Sequence, residues 1–209
     1  SYQSLINLDD FFANKNFSDY TGTGYAVAVL DTGIDPDHPH FGADLNGDGV
    51  GDKIVYQYDF HENDSDATDD TNGGFSHGTH VASTVASSDD SFPGVAPDAD
   101  LVILRVLGPN GGSNRDIESA LRWVIQIAEK YNIVAVNMSL GDPSAIYQNP
   151  TYDSLSDEIS TLASMGVIVV SASGNYYENF SSQQGVTSQS SDPYSFSVGN
   201  ISVDDRRKE

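Results

Sequence analysis

The sequence has no Cys at all among its 209 residues, and only one Trp and two Met. Without Cys there can be no disulfide framework, no thiolate metal site and no thiol nucleophile, and the redox compartment leaves no mark. Basic residues are nearly as scarce: 9 Lys and Arg stand against 31 Asp and Glu, a formal charge of −22. Such a charge opposes contact with the phosphates of nucleic acid or the anionic face of a membrane, so neither is an expected partner, and cations are the natural ones. No apolar run reaches the roughly 18 residues of a membrane span. The first ten residues lack the basic start and apolar block of a signal peptide. What remains is a globular composition, 38% hydrophobic and 10% aromatic, enough for one domain over residues 1–209 with a sizeable core.

Short β-rich apolar runs occur at Gly24–Leu30, Asp100–Val106, Asn132–Met138 and Gly166–Ala172. Runs of this kind, apolar at successive positions, are buried on both faces and read as parallel strands. Helix-like segments lie between them: His77–Ser87, Asp116–Tyr131 and Tyr152–Met165, the last stopped by Gly166. Ser113 and Asp116 stand at capping-box spacing, and Ile117, Leu121, Val124, Ile125 and Ala128 share one helical face. Strand and helix alternate, which predicts an α/β fold: a doubly wound, mainly parallel sheet in three layers. In such folds active groups gather at loops leaving the carboxyl ends of strands. The Ser/Gln/Asn-rich stretch Asn179–Pro193 reads as a surface loop. Tyr194–Val203 is the last apolar run.

Three strand or helix ends carry chemistry. The first run passes directly into Asp31-Thr32-Gly33. Asp-Thr-Gly after apolar residues also marks aspartic peptidases, but those need two copies sharing a proton and an all-β architecture, and this chain has one copy amid β/α alternation. The second motif, Ser76-His77-Gly78-Thr79-His80, opens a helix, where an imidazole is held from behind and suits a base. His77 and His80 could face one metal, yet a zinc site wants a third ligand, and only His38, His40 and His61 remain. His80 is expected to be a buried histidine bonded to backbone. The third, Ser171-Ala172-Ser173-Gly174-Asn175, places a neutral amide donor where a strand runs into a loop.

Asp at one strand end, His at a helix start and Asn at a later strand end, in that order, resemble the subtilisin-like serine peptidases. VAVLDTGID, SHGTHVAS, GVAPDADLVILRVLG, VNMSLG and VVSASGN all resemble that family's motifs at its intervals. The resemblance implies a serine endopeptidase in which Asp31 orients His77, His77 is general base and then acid, and Asn175 donates to the oxyanion. It implies polypeptide substrates bound as an added strand between Ser139-Leu140-Gly141 and Gly111-Gly112-Ser113, with Ala172, Ser173 and Gly174 walling the specificity pocket. The family's nucleophile opens a helix in a Gly-Thr-Ser motif, and these 209 residues contain no Gly-Thr-Ser. Gly185-Val186-Thr187-Ser188 has no helical run behind it and is rejected. The expected object is thus a truncated catalytic domain, inactive alone, whose partners include a segment carrying the Ser and an inhibitory propeptide. The other reading is a noncatalytic peptide-binding or scaffold domain. Arg206-Arg207-Lys208 offers a cleavable basic run.

Acidity is concentrated in residues 31–70, which hold twelve Asp or Glu. Within them, Asp44-Leu45-Asn46-Gly47-Asp48-Gly49-Val50-Gly51-Asp52 sets side-chain oxygens at positions 1, 3, 5 and 9, a Gly at 6 and the Val50 carbonyl at 7. That is calcium-loop spacing, although Val55 stands where position 12 would supply a bidentate Glu. Calcium held by Asp44, Asn46, Asp48, Val50 and Asp52 is the expected cofactor, with Asp35, Asp37 or Asp59 to complete the shell. The loop and the family resemblance together imply a secreted, extracellular protein. A second calcium site common in the family is not expected, because His40 takes its acidic position.

Overall fold

The computed structural model describes residues 5–69, 76–142, 154–175 and 185–200. The first apolar run forms β1 (Ala26–Asp31), followed by β2 (Ile54–Asp59), β3 (Asp100–Arg105), β6 (Ile133–Met138), β7 (Ile168–Ala172) and β8 (Ser195–Val198). Among the described residues these six strands form one sheet in the order β2-β3-β1-β6-β7-β8, and every neighbouring pair is parallel. A short antiparallel pair, β4 (Leu107–Gly108) and β5 (Gly111–Gly112), leads from β3 toward the helix that follows.

The strands carry apolar side chains at successive positions because both faces are covered. From β1, Ala26, Ala28 and Leu30 join one core with Ile117, Leu121, Val124, Ile159 and Leu162. Val29 joins the opposite core with Ile34, Phe41, Ala82, Ala86, Leu101 and Ile103. Alternate residues of a strand face opposite sides, so one strand serves both layers. The first face is covered by α3 (Asn114–Tyr131) and α4 (Ser156–Ser164), the second by α2 (His77–Ala86), which completes three layers. A short helix, α1 (Leu8–Ala13), precedes them.

Local chemistry sets the helix limits. Ser113 caps α3 by accepting the Asp116 N–H through its hydroxyl oxygen, as the capping spacing leads one to expect. At the other end Asn132 turns left-handed, φ 52°, and returns its N–H to Ala128 and Glu129 carbonyls. Ile117, Leu121, Val124 and Ala128 are buried as their spacing predicts, together with Ala120 and Ile127, while Ile125 is half-buried. β2 is missing from the expected strands because it lies at the sheet's edge: Val55, Tyr56, Gln57 and Tyr58 are only half-buried, and its sequence lacks a continuous apolar run. Residues 152–153 and 201–203 of the expected last helix and last apolar run fall outside the described residues.

One reading is corrected. The stretch 187–192 is not surface loop: Ser188–Ser191 form a short helix, α5, and Thr187, Gln189, Ser190 and Asp192 are buried. Polar side chains tolerate that burial because they satisfy backbone groups; Gln189 Nε2 donates to the Leu140 carbonyl at 2.8 Å and Thr187 Oγ1 to the Ala172 carbonyl at 2.8 Å. Residues 179–184 of the same stretch lie outside the described residues. No helix among the described residues is long and apolar enough to cross a membrane.

Sheet topology opens a crevice at one place. The chain lays β2 and β3 to one side of β1 and then β6, β7 and β8 to the other. Strand placement therefore reverses beside β1, and parallel strands put the carboxyl ends of β1, β3, β6 and β7 on one edge. Asp31 is the last residue of β1.

Candidate active site

Asp31 closes β1 with its side chain only 1% exposed. Its Oδ1 accepts the Thr32 N–H at 2.8 Å, which fixes the carboxylate against its own turn. Gly33 continues that turn with φ 103°, a conformation that side-chain-bearing residues rarely adopt. The turn is then tied outward, since Ile34 N–H donates to the Ala67 carbonyl and Asp69 N–H to the Ile34 carbonyl, each at 2.9 Å.

Helix α2 meets this turn at Gly78. A Cβ built there would lie 2.0 Å from the Gly33 carbonyl oxygen, so only glycine lets the two segments touch. That contact delivers the neighbouring His77, whose Nδ1 lies 2.7 Å from Asp31 Oδ1. With a carboxylate as acceptor, Nδ1 carries the proton and Nε2 is left as the outward base. The imidazole is 45% exposed over a nearly inaccessible partner. The hydrogen bond that His77 donates to Asp31 raises the His77 pKa above the ordinary 6.5; burial opposes it, and the charges of Asp31 and Asp69 reinforce it. The other carboxylate oxygen, Asp31 Oδ2, is buried without a hydrogen-bond partner among the described residues. The pair is built to stabilise an imidazolium.

The other sequence-predicted residues sit at the ends of β6 and β7 and at the step from β5 to α3. Ser139, Leu140 and Gly141 follow β6; Leu140 is buried, and its carbonyl is already taken by Gln189. Ala172 ends β7, Ser173 and Gly174 follow it, and all three are partly exposed, with the Ser173 carbonyl accepting the Thr187 N–H at 3.1 Å. Gly111, Gly112 and Ser113 are exposed on β5 and the start of α3. Asn175 is exposed just past β7, on the same edge of the sheet as Asp31. The direct bond the structure makes is between Asp31 and His77. Gln189 and Asp69 carry no signal in the sequence, since a Gln and an Asp in polar stretches have no spacing that marks them, and Thr187 is visible there only within the rejected Gly185-Val186-Thr187-Ser188.

His80 is exposed on α2 rather than buried, because the outer face of that helix looks away from the sheet. Ser188 opens α5, so a helix does follow Gly185-Val186-Thr187-Ser188, but it is four residues long, and Ser188 Oγ donates to Gln189 Oε1. Asp59 is not available to a metal: it is buried and bonded at 2.6 Å to Arg105 Nη1, with Arg105 itself 3% exposed.

The Asp-rich loop folds on itself. Asp44 Oδ1 accepts the N–H groups of Gly47 and Asp48, and Asp44 Oδ2 that of Gly49. Asn46 and Asp48 are joined by Asn46 Nδ2 donating to Asp48 Oδ2 at 3.0 Å. The donors are hard oxygens suited to calcium, and three of the predicted side chains converge, whereas Asp52 is exposed and enters none of these bonds. Among the described residues no three His, Asp or Glu gather closely enough to hold a metal ion.

The profile of the subtilase family matches residues 22–208. The chain is 37% identical over 162 residues to the major intracellular serine protease of Bacillus subtilis, covering 74% of this chain and 44% of that protein. It is 40% identical over 158 residues to subtilisin Savinase of Lederbergia lenta, covering 74% and 49% respectively. Among solved structures, S41 psychrophilic protease superposes with a TM-score of 0.60 at 29% identity, over 80% of this chain and 52% of that one. A cold-adapted subtilisin-like serine proteinase gives 0.56 at 32%, over 78% and 51%. The chain spans about half the length of these relatives.

Proposed function

Because this chain belongs to the subtilase family, we propose that it supplies the acid–base half of a serine endopeptidase. The observation that carries the reading is the 2.7 Å bond from His77 Nδ1 to a buried Asp31. In the proposed reaction His77 Nε2 takes the proton of an attacking Ser hydroxyl and later gives it to the leaving amine. Asp31 keeps the tautomer and steadies the imidazolium, and Asn175 donates to the oxyanion. The Ser would come from a segment outside these 209 residues. Polypeptide substrate would pair along Ser139–Gly141 and Gly111–Ser113, with Ala172–Gly174 lining the specificity pocket. A propeptide would occupy the same groove.

Without the Ser segment the domain would keep the groove and lose the chemistry, which is the second reading, a peptide-binding domain. A fluorophosphonate probe, which labels only an activated Ser, separates the two. The protein containing this chain and its downstream segment is expected to gain one probe mass, and the gain is expected to vanish in His77→Ala. Absence of label in the parent protein would sink the peptidase reading.

Calcium would be held by Asp44, Asn46 and Asp48 with the Val50 carbonyl and Asp52, as a structural ion that binds only the folded chain. At a hundredfold excess over its dissociation constant it would add about 2.7 kcal/mol. Chelator is expected to lower the melting temperature, and Asp44→Ala to abolish the difference; a melting temperature indifferent to chelator would remove the ion from the account. Relatives include an intracellular protease and the minor extracellular protease Vpr of Bacillus subtilis, so the extracellular location rests on the calcium loop.

A further inference from the structure

A single carboxylate oxygen joins the two halves of the acid–base pair. Asp69 Oδ2 accepts the Thr32 hydroxyl at 2.5 Å and the Ser76 hydroxyl at 2.8 Å. Thr32 immediately follows Asp31, and Ser76 immediately precedes His77. Each hydroxyl passes the connection on. Thr32 Oγ1 accepts the Gly78 N–H at 3.0 Å, so one relay runs from the first turn of α2 back through the Asp31 turn. Ser76 Oγ lies 2.5 Å from Thr79 Oγ1, which accepts the Asp35 N–H at 2.8 Å. Since Ser76 spends its proton on Asp69, Thr79 must donate to Ser76, and the second relay runs from the Asp31 turn through α2. The two relays cross between the same segments in opposite directions and end on one oxygen. Asp69 is itself anchored, its N–H donating to the Ile34 carbonyl.

We infer that Asp69 is a positioning residue that locks the Asp31 turn to the start of the His77 helix and sets its negative charge behind the imidazole. The inference rests on the reading of Asp31 and His77 as the acid–base pair, and it extends that reading to a second carboxylate. The reasoning is chemical. Replacing Asp69 by a neutral acceptor would leave the hydroxyl protons a weaker partner, since bonds to a charged acceptor are roughly twice as strong as neutral ones. The Gly78 N–H would then hang on a hydroxyl free to rotate, and Gly78 is the point at which α2 touches the turn. Among the described residues, the charged groups that act on His77 are Asp31, at the end of β1, and Asp69, in the segment before α2. Both favour the imidazolium, so removing either should make His77 easier to deprotonate.

The test uses the 209-residue chain with labelled histidine and needs no nucleophile, so its failure is separate from a failure of Ser labelling. Asp69→Asn, of the same shape, is compared with Asp69→Ala and with the parent, the His77 signal being assigned by its loss in His77→Gln. The expected result is a His77 titration midpoint shifted to lower pH in Asp69→Asn. Exchange of the Gly78 amide is expected to quicken by about tenfold as the lock opens locally. Thr32→Val, which keeps the charge and removes one relay, is expected to quicken Gly78 exchange with a smaller change in the His77 midpoint. If Asp69→Ala does not fold, Asp69→Asn and Thr32→Val carry the test. Either a His77 midpoint that stays put in Asp69→Asn or an unchanged Gly78 rate overturns the assignment.

Discussion

Asp31→Asn, made in the proposed peptidase, is expected to lower kcat by about 10⁴-fold. Asp31 Oδ1 serves two donors at once, the Thr32 N–H and His77 Nδ1–H, while Oδ2 is buried without a partner among the described residues. An amide cannot occupy that position well in either orientation. With its oxygen at Oδ1, its NH₂ is buried with nothing to receive it, and the imidazolium loses its charged partner. With its nitrogen at Oδ1, a donor faces the Thr32 N–H, and His77 is driven to carry its proton on Nε2, where it cannot act as base. The pH profile should report the same event. His77 must be neutral to accept a proton, and the hydrogen bond to Asp31 raises its pKa from the ordinary value, so the acid limb of kcat/KM is expected at higher pH in the parent than it would be without that bond. Residual activity of Asp31→Asn is expected to show its acid limb at lower pH. A variant within tenfold of the parent would mean that Asp31 does not orient the base.

Asp59→Ala is expected to destabilise the chain by about 3–5 kcal/mol, a shift of the urea midpoint with little change in slope. Asp59 and Arg105 end adjacent strands, β2 and β3, in register, and both are almost wholly inaccessible. Their 2.6 Å bond is accompanied by the N–H groups of His61 and Glu62, which donate to the other oxygen, Asp59 Oδ1. Removing the carboxylate takes from the buried Arg105 its 2.6 Å partner and leaves two amides without their acceptor. Glu62, 4.0 Å from the same Nη1 and more than half exposed, is too far and too well solvated to take over. The paired change Asp59→Leu with Arg105→Met should recover much of the loss, since it removes both buried charges together instead of one of them. A loss below about 1 kcal/mol for Asp59→Ala would show that solvent reaches Arg105.

Much of this molecule is legible one residue at a time. Strands such as Ala26–Asp31 and Asp100–Arg105 announce themselves because burial on both faces demands apolar residues at successive positions, and α3 because its buried face repeats at helical spacing under a Ser113 cap. Asp31 and His77 are legible for a different reason: each sits in a local motif, a strand ending in a tight turn and a helix opening on glycine, whose geometry needs those residues nearby in sequence. The signal weakens where a residue's partner is distant. β2 carries only a half-buried pattern since its neighbour on one side is solvent, and the stretch 187–192 looks like loop because its polar side chains meet backbone groups more than ten residues away.

Composition and local pattern therefore determined the layered parallel sheet, the exclusion of cysteine chemistry and the two motifs that carry Asp31 and His77, all of which follow from residue content, short-range periodicity and turn chemistry. Tertiary structure alone decided that Asp59 pairs with Arg105 instead of a cation, that His80 faces solvent, and that Thr32 and Ser76 meet on Asp69. Which carboxylate is neutralised by which partner is set by where the fold brings charges together, and a string of a dozen acidic residues between positions 31 and 70 holds no local mark of that choice.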